Sequence, residues 1–591
     1  MTSLPPAVIF ILGAFLLTLL PQRVRSAAYL VFPVLAFALL VQLETGASST
    51  VSFLNYELVI ARVDRLSLVF GYVFVIIAFL GGIYGFHLKD TSQQVAALLY
   101  AGSSLGVVFA GDLLTLFVFW EVMTLSSVVL IWARRTPKSS AAAMRYLVVH
   151  LFGGSVLMAG ILWYYRTTGS LLFNHLEPGI ASYLILFGFA LNAAVPPLHA
   201  WLSDAYPEGT VTGSVFLSAF TTKVAVYALI RGFAGLEVLI WIGAIMAVYG
   251  VIFAVLENDI RRLLAYHIVS QVGYMVAAVG IGTEMAINGA VAHAFAHILY
   301  KGLLFMGVGA VLYATGRSKL TELGGLARAM PLVLALYMVG AFSISGFPLF
   351  SGFVSKSMVI YTAELCGMGA GVLLLNLASV GTFLSIGLKV PYFTWFGTNL
   401  SLKPNLPPLG MYVCMALTSG ICVAIGVYPA LLYNLLPFAV DYQPYTASHV
   451  LQTMQLLIFT ALAFCLILKK LGSEKTITLD TDWVYRRPAG LAYRLLVVRL
   501  SEFFGSVECL TMRLTRWIAT ASANPAGYLI QTRRAIRGYF FGSVRAKSLP
   551  EPRIFNPNRY RLPLGMMLAV VLLSFAVLML IILLQVFTGG G

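Results

Sequence analysis

Apolar runs of about 16 to 28 residues follow one another from one end of this 591-residue chain to the other. An α-helix needs that length to cross a hydrocarbon layer ~30 Å thick, whereas a barrel strand would need only about ten residues and would alternate. With 60% hydrophobic residues, 10% charged residues and a mean hydropathy of +0.90, the chain has too few polar groups to cover a water-facing surface. The fold class that follows is an all-α polytopic membrane protein. Sixteen transmembrane helices are placed near 7–20, 27–43, 66–86, 95–110, 113–132, 145–165, 183–202, 211–231, 237–256, 263–281, 286–313, 330–366, 369–396, 410–432, 450–468 and 562–587. The first is read as a retained span, since no basic residue precedes it and no small-residue cleavage site follows.

Two of these spans should be broken. The seventh contains Pro196-Pro197, and the twelfth is too long for one crossing and contains Gly346-Phe347-Pro348 and Gly352. Proline removes a helical hydrogen bond, and freed backbone groups are tolerated in a membrane only beside a polar cavity. Discontinuous helices at comparable places in two halves of a chain therefore point to a transport site.

Charge orients the chain. If 469–561 is cytoplasmic and both termini lie outside, most of the 38 Lys and Arg residues fall on the cytoplasmic side, as the positive-inside rule requires. Only the loop 203–210, with Asp204 and Glu208, disagrees. Much of the +16 net charge is thereby membrane orientation, which leaves little for nucleic-acid binding to explain. Five cysteines, Cys366, Cys414, Cys422, Cys465 and Cys509, show no CxxC spacing, so neither zinc nor an iron–sulfur cluster is implied, and no cofactor motif occurs. In the 483–547 segment apolar residues recur at helical spacing with Arg494, Arg499, Arg513 and Arg516 between them. This suggests helices lying on the membrane, interrupted at Pro525 and Gly527. A basic loop held by anionic lipid and a brace along neighbouring subunits are both open.

The chemistry sits in ionisable residues inside apolar spans, where a charge costs at least ~2.5 kcal/mol. Lys223 has about two turns of apolar residues on each side, and Glu121 lies mid-span in LLTLFVFWEVMTLSSVVLIW. His293, His297 and Lys301 recur every four residues, so they line one helix face with a rise of about 6 Å per step. Such a file can pass protons. Its HxxxH spacing lacks the Glu a metalloprotease needs after the first His, so no metal is assigned, and satisfied core histidines remain the alternative. Lys356 follows the break in the twelfth span. Lys389 lies nearer a helix end, where snorkelling competes with transport. Asp259, Arg261 and Arg262 open the tenth span, where capping and orientation account for them as well as transport does.

Taken together, FWE with Glu121, PPLHAWLSDAYPE, TTKVAVYAL with Lys223, NDIRRLLAYHIVSQVGYM, HAFAHILYKGLLF, LGGLARAMP and GFPLFSGFVSK resemble the antiporter-like subunits shared by respiratory complex I and Mrp-type cation/proton antiporters. The style is that of the Mrp D-type subunit, with a C-terminal extension similar in layout to the lateral helix of the long complex I subunit. The resemblance implies a 14-helix core, with helices 4–8 and 9–13 as inverted five-helix repeats and helices 7 and 12 broken. The implied divisions are 1–94 N-terminal helices, 95–400 ion-translocating core, 401–468 further core helices, 469–561 basic amphipathic segment and 562–591 last span. It implies that Glu121 is the essential glutamate of helix 5, Lys223 the central lysine, His293, His297 and Lys301 the connecting relay, and Lys356 the terminal group of helix 12. Two positions depart from the pattern. Arg261 replaces a lysine, and Asn192 stands where the helix-7 lysine that partners the glutamate is expected.

The functional expectation is a proton-translocating subunit of a multisubunit complex in the plasma membrane, moving H⁺, with exchange for Na⁺ as an option. Its partners would be other membrane subunits and lipid. The alternatives are the pumping arm of a quinone oxidoreductase or membrane-bound hydrogenase, with redox chemistry left to partners, and a scaffold whose transport Asn192 has impaired.

Overall fold

The computed structural model describes residues 5–54, 56–397, 402–468, 470, 480, 482–541 and 564–588. The chain forms two units, Met1–Trp483 and Val484–Gly591.

In the first unit, helices α1 (Pro6–Leu19) and α2 (Gln22–Gln42) lead into an antiparallel hairpin of β1 (Ser48–Phe53) and β2 (Tyr56–Arg62). The hairpin adds to an otherwise helical fold an element absent from the sequence-based placement. The next helices are α3 (Arg65–Tyr84), α4 (Thr91–Phe109), α5 (Leu113–Trp132) and α6 (Pro137–Thr168). Their starts are read directly from the chain: Asp64, Asp90, Asp112 and Thr136 each accept a backbone N–H of the first turn that would otherwise be unpaired.

The seventh span is broken as expected, into α7 (Ile180–Asn192) and α8 (Ala200–Ala205). The eighth, expected to be continuous, is interrupted too, giving α9 (Gly213–Ala219) and α10 (Thr221–Phe233). Then come α11 (Val238–Leu256), α12 (Ile260–Ile281) and the long α13 (Glu284–Thr315). The twelfth span divides into α14 (Pro331–Ser345) and α15 (Ser351–Leu365), and the thirteenth runs as α16 (Gly369–Thr382), a π-helical stretch over Phe383–Lys389 and α17 (Val390–Trp395). α18 (Leu409–Val427), the short α19 (Ala430–Tyr433) and α20 (Ala447–Ile467) complete the bundle.

Two repeats are visible in these irregularities. Each has a fourth span broken outright, and each has a last span that departs from α geometry. Both outright breaks hold a non-glycine residue in the left-handed region, Ala194 at φ 59° and Leu349 at φ 73°, a conformation that costs roughly 1–2 kcal/mol and persists only where surrounding packing holds it.

Eleven described helices are long and apolar enough to cross a membrane. Among these, α12 and α13 and the span made of α9 and α10 are almost wholly buried, while α2 and α20 present most of their apolar side chains outward. Lys223, His293, His297 and Lys301 lie on these innermost helices. The close pairing of α11 with α12 shows how the interior is held. A Cβ on Gly243 or Gly250, or on Gly273 or Gly280 opposite, would lie 2.3–2.6 Å from a backbone nitrogen of the facing helix. Small residues are what allow helices to approach this closely where water supplies no driving force.

α21 (Asp482–Tyr493) begins with the last two residues of the first unit; in the second unit it is followed by a π-helical stretch over Arg494–Arg499 and α22 (Leu500–Ala523), and α23 (Pro525–Phe541) starts after a break at Asn524. α24 (Leu564–Thr588) follows. The interruption falls at Pro525, where an N–H is missing.

Candidate functional site

Lys223 owes its surroundings to the interruption between α9 and α10. The amide of Thr221 donates to the Tyr100 hydroxyl at 3.1 Å, and that hydroxyl lies 2.6 Å from Thr221 Oγ1. The Ser218 carbonyl accepts from Lys223 Nζ at 2.6 Å, and Thr222 Oγ1 lies 3.1 Å from the same nitrogen. The ammonium is fully buried, and it pairs with no carboxylate among the described residues. Oxygen dipoles alone hold it, which leaves its charge to act on its neighbours.

Those neighbours are on α13. His293, His297 and Lys301 are all fully buried on one face. His293 contacts Ser355 Oγ at 3.2 Å through Nδ1 and the Tyr300 hydroxyl at 3.5 Å through Nε2, and its ring centroid lies 6.2 Å from that of His297. Both ring nitrogens of His297 and the Nζ of Lys301 have no hydrogen-bond partner among the described residues. The field of Lys223 reaches His297, Lys301 and His293, and His293 also feels Lys356. Buried polar atoms without partners are rare, and each calls for a role or for water.

Lys356 sits just past the second break. Its Nζ donates to the Ile344 carbonyl at 3.2 Å and to Ser379 Oγ at 3.1 Å, and it stands 5.0 Å from the Tyr274 ring centroid. It faces a cavity of about 280 Å³ that Ser345, Glu364, Asn376, Ser379 and His449 help to line. The cavity is roomy enough for several waters and polar enough to hold them. Close by, His267 Nε2 meets Ser385 Oγ at 2.6 Å within the π-helical stretch, and the charges of Lys301 and Lys356 both reach this imidazole.

The first half is built differently. Glu121 is half-buried and its Oε1 has no partner among the described residues. That oxygen fits only because residue 154 is glycine: a Cβ there would lie 2.0 Å from it. Asn192 is buried at the end of α7, and its Nδ2 has no partner among the described residues, so that amide nitrogen makes no bond to Glu121. One turn before Gly154, His150 stacks on Tyr146 at 4.0 Å between ring centroids and keeps Nδ1 on the Tyr146 carbonyl at 3.0 Å, and its Nε2 has no partner among the described residues.

The remaining candidates are tied to backbone. Arg261 is buried and donates to the Gly209 carbonyl at 2.9 Å, the Thr210 carbonyl at 3.3 Å and Ser214 Oγ, fastening the start of α12 to the connector before α9. Lys389 donates to the Val255 carbonyl at 2.6 Å and the Glu257 carbonyl at 3.0 Å, which satisfies carbonyls at the end of α11. Asp259 caps α12 by accepting from the Arg261 and Arg262 amides at 2.9 and 3.1 Å.

The structure adds groups that the sequence did not single out: His150, His199, His267 and Asp480. The three histidines lie in apolar stretches, VVHLFGG, PPLHAWL and LAYHIVS, and an imidazole in such a setting was the available signal. Asp480 lies in a polar connector and carried none.

A family model described as NADH:quinone oxidoreductase/Mrp antiporter, transmembrane, matches residues 110–385. An uncharacterised protein of Methanocaldococcus jannaschii is 30% identical over 377 residues, covering 60% of this chain and 78% of that one. The D-type Na⁺/H⁺ antiporter subunit of Alkalihalophilus pseudofirmus is 34% identical over 281 residues, covering 44% of this chain and 57% of its own length. A chain of the Mrp complex from Dietzia sp. DQ12-45-1b superposes with a TM-score of 0.65 at 23% identity, covering 76% of this chain and 98% of that one, which is a likeness of fold.

Proposed function

Because the chain belongs to the NADH:quinone oxidoreductase/Mrp antiporter family, we propose that it translocates protons as one membrane subunit of a multisubunit complex. The path is Glu121, Lys223, His297, His293 and Lys356, with Lys301 beside the relay. One observation carries this reading: Lys223, His293, His297 and Lys301 are fully buried and Lys356 almost so, with the two histidines and Lys301 following one another on one face of α13.

Two unit charges ~8 Å apart in an effective dielectric of ~20 interact by about 2 kcal/mol. Protonating one member of such a line therefore changes the proton affinity of the next by more than tenfold, and the groups titrate as a coupled set. The break at Phe220 gives Lys223 a carbonyl to bond when charged, and the break at 346–350 gives Lys356 a polar cavity. Arg261 holds a fixed charge, because guanidinium does not deprotonate in proteins. Positive-inside bias supports 469–561 on the cytoplasmic side of a plasma membrane, with both termini outside.

The test is proton flux in inverted vesicles, normalised to the amount of assembled complex. Lys223→Ala and Glu121→Ala should leave the complex present and abolish flux. Wild-type flux in either variant would sink the reading.

A second reading, the pumping arm of a quinone oxidoreductase, is favoured by the amphipathic α22 after the last core helix. Purifying the tagged chain from membranes separates the two. Small antiporter subunits in the purified complex support exchange with Na⁺, and redox subunits support the pumping arm.

A further inference from the structure

We propose that Asp480 makes His199 a proton-carrying station between an open charged cleft and the buried line, and so couples the connector after α20 to transport. The inference rests on the proton-translocating reading above.

Asp480 lies outside the segment matched to the family, yet its side chain is 1% exposed and sits inside the bundle. Groups from three elements converge on it. His199 Nε2, on the broken seventh span, is 3.1 Å from Oδ2. The Tyr266 hydroxyl of α12 donates to the same oxygen at 2.6 Å, and the Tyr249 hydroxyl of α11 donates to Oδ1. An acceptor-only carboxylate with two phenols and an imidazole around it is satisfied with Nε2–H pointing at Oδ2. That choice of tautomer leaves Nδ1 as the lone-pair nitrogen. Nδ1 is buried, and no described residue bonds to it.

Water has an approach close to His199. A cleft of about 280 Å³, which Ser203, Asp204, Glu257, Arg262 and Lys319 help to line, opens beside the cluster. The Arg262 guanidinium carbon lies 5.9 Å from the Tyr266 ring centroid. On the other side, the indole of Trp201, two residues after His199, donates to the Leu191 carbonyl at 2.9 Å and pins the broken segment against α7. His199 thus lies fully buried one helical turn before Ser203, which lines the cleft.

The step is one proton. Water of the cleft delivers it to Nδ1, where an N–H bond forms and the ring becomes an imidazolium whose charge Asp480 balances. Release from Nδ1 toward the lysine line restores the neutral ring, while Nε2–H stays on Asp480 throughout. Asp480 is accordingly a positioning residue that keeps the tautomer and balances the charge, and His199 carries the proton.

The experiment measures proton flux per assembled complex for Asp480→Asn and Asp480→Glu in the full complex. Asparagine keeps the size and an acceptor oxygen for Nε2–H but removes the negative charge that balances the imidazolium; flux should fall on the order of tenfold or more, and glutamate should restore most of it. Wild-type flux per complex in Asp480→Asn overturns the proposal. So does equal loss in both variants, the mark of a structural latch. If Asp480→Asn lowers the amount of complex, His199→Gln decides, since it leaves the carboxylate and both phenols in place: slowed flux supports the station, and unchanged flux overturns it. Lys223→Ala run alongside separates the two levels, because flux surviving that change removes the translocation reading itself.

Discussion

Lys223 Nζ donates to the carbonyl of Ser218 at 2.6 Å, five residues back along its own span. A regular helix would give that carbonyl to the amide of residue 222. The span is interrupted at Phe220, so the most deeply buried cation of the first repeat is held by its own helix rather than by a counter-ion.

Charge alone should therefore not be enough at this position. Lys223→Arg keeps a cation but fixes it, and a guanidinium is too large and too forked for the pocket of Ser218 and Thr222. Complex should still assemble, while flux falls to the level of Lys223→Ala. Vesicle acidification per complex measures it, and substantial flux in the Arg variant would show that no proton leaves this side chain.

Gly154 should behave as part of the glutamate site without carrying any chemistry. Its Cβ would sit 2.0 Å from Glu121 Oε1, so Gly154→Ala must push the carboxylate aside. Flux is expected to drop by at least about tenfold, a loss of roughly 1.4 kcal/mol in the barrier, with the amount of complex little changed. Phe152, two residues earlier on the same helix, is exposed on the outer face, and Phe152→Leu serves as the control that leaves flux intact.

At the second break the outcome should be structural instead. A Cβ on Gly352 would lie 1.7 Å from the Ser343 carbonyl. Backbone cannot yield as a flexible side chain can, so Gly352→Ala should destabilise the bundle by about 1–3 kcal/mol, as overpacking does. A lowered thermal midpoint of the purified complex and reduced abundance in membranes are the measurements.

Neither ring nitrogen of His297, on the face it shares with Lys301, has a partner among the described residues. His297→Gln retains polarity but cannot be protonated, so transport should slow by more than the amount of complex falls. Equal activity per complex would reduce this imidazole to packing.

How much of this was legible depends on where each cause resides. The breaks at Pro196-Pro197 and Gly346-Phe347-Pro348 are written in the residues themselves, because proline and glycine act on their own backbone. The break at Phe220 is not, since the interior of 213–232 has neither proline nor glycine. It is accompanied by the bond between Thr221 and Tyr100, 121 residues away. The π-helical stretch at 383–389 likewise brings Ser385 to His267, 118 residues away. Lys223, Glu121 and the file on α13 stood out because a charge in an apolar run is costly. The hairpin at 48–62 escaped because it is short and lies between two strong helical signals.

Asn192 offers a test of the first repeat, because its buried amide nitrogen has no partner among the described residues. Lysine there would bury an ammonium, and an unpaired buried ion is strongly destabilising. The half-buried Glu121 carboxylate, with Oε1 unbonded, is the anion available to it. If the longer lysine side chain reaches it, Asn192→Lys should assemble in the wild-type background and fail when combined with Glu121→Gln. The double-mutant cycle on complex stability should then show a coupling of about 1 kcal/mol or more. Additive effects would mean that position 192 and Glu121 lie too far apart to exchange charge. In that case Asn192 acts as a backbone-bonding or packing residue at the end of α7, and transport through the first repeat does not depend on it.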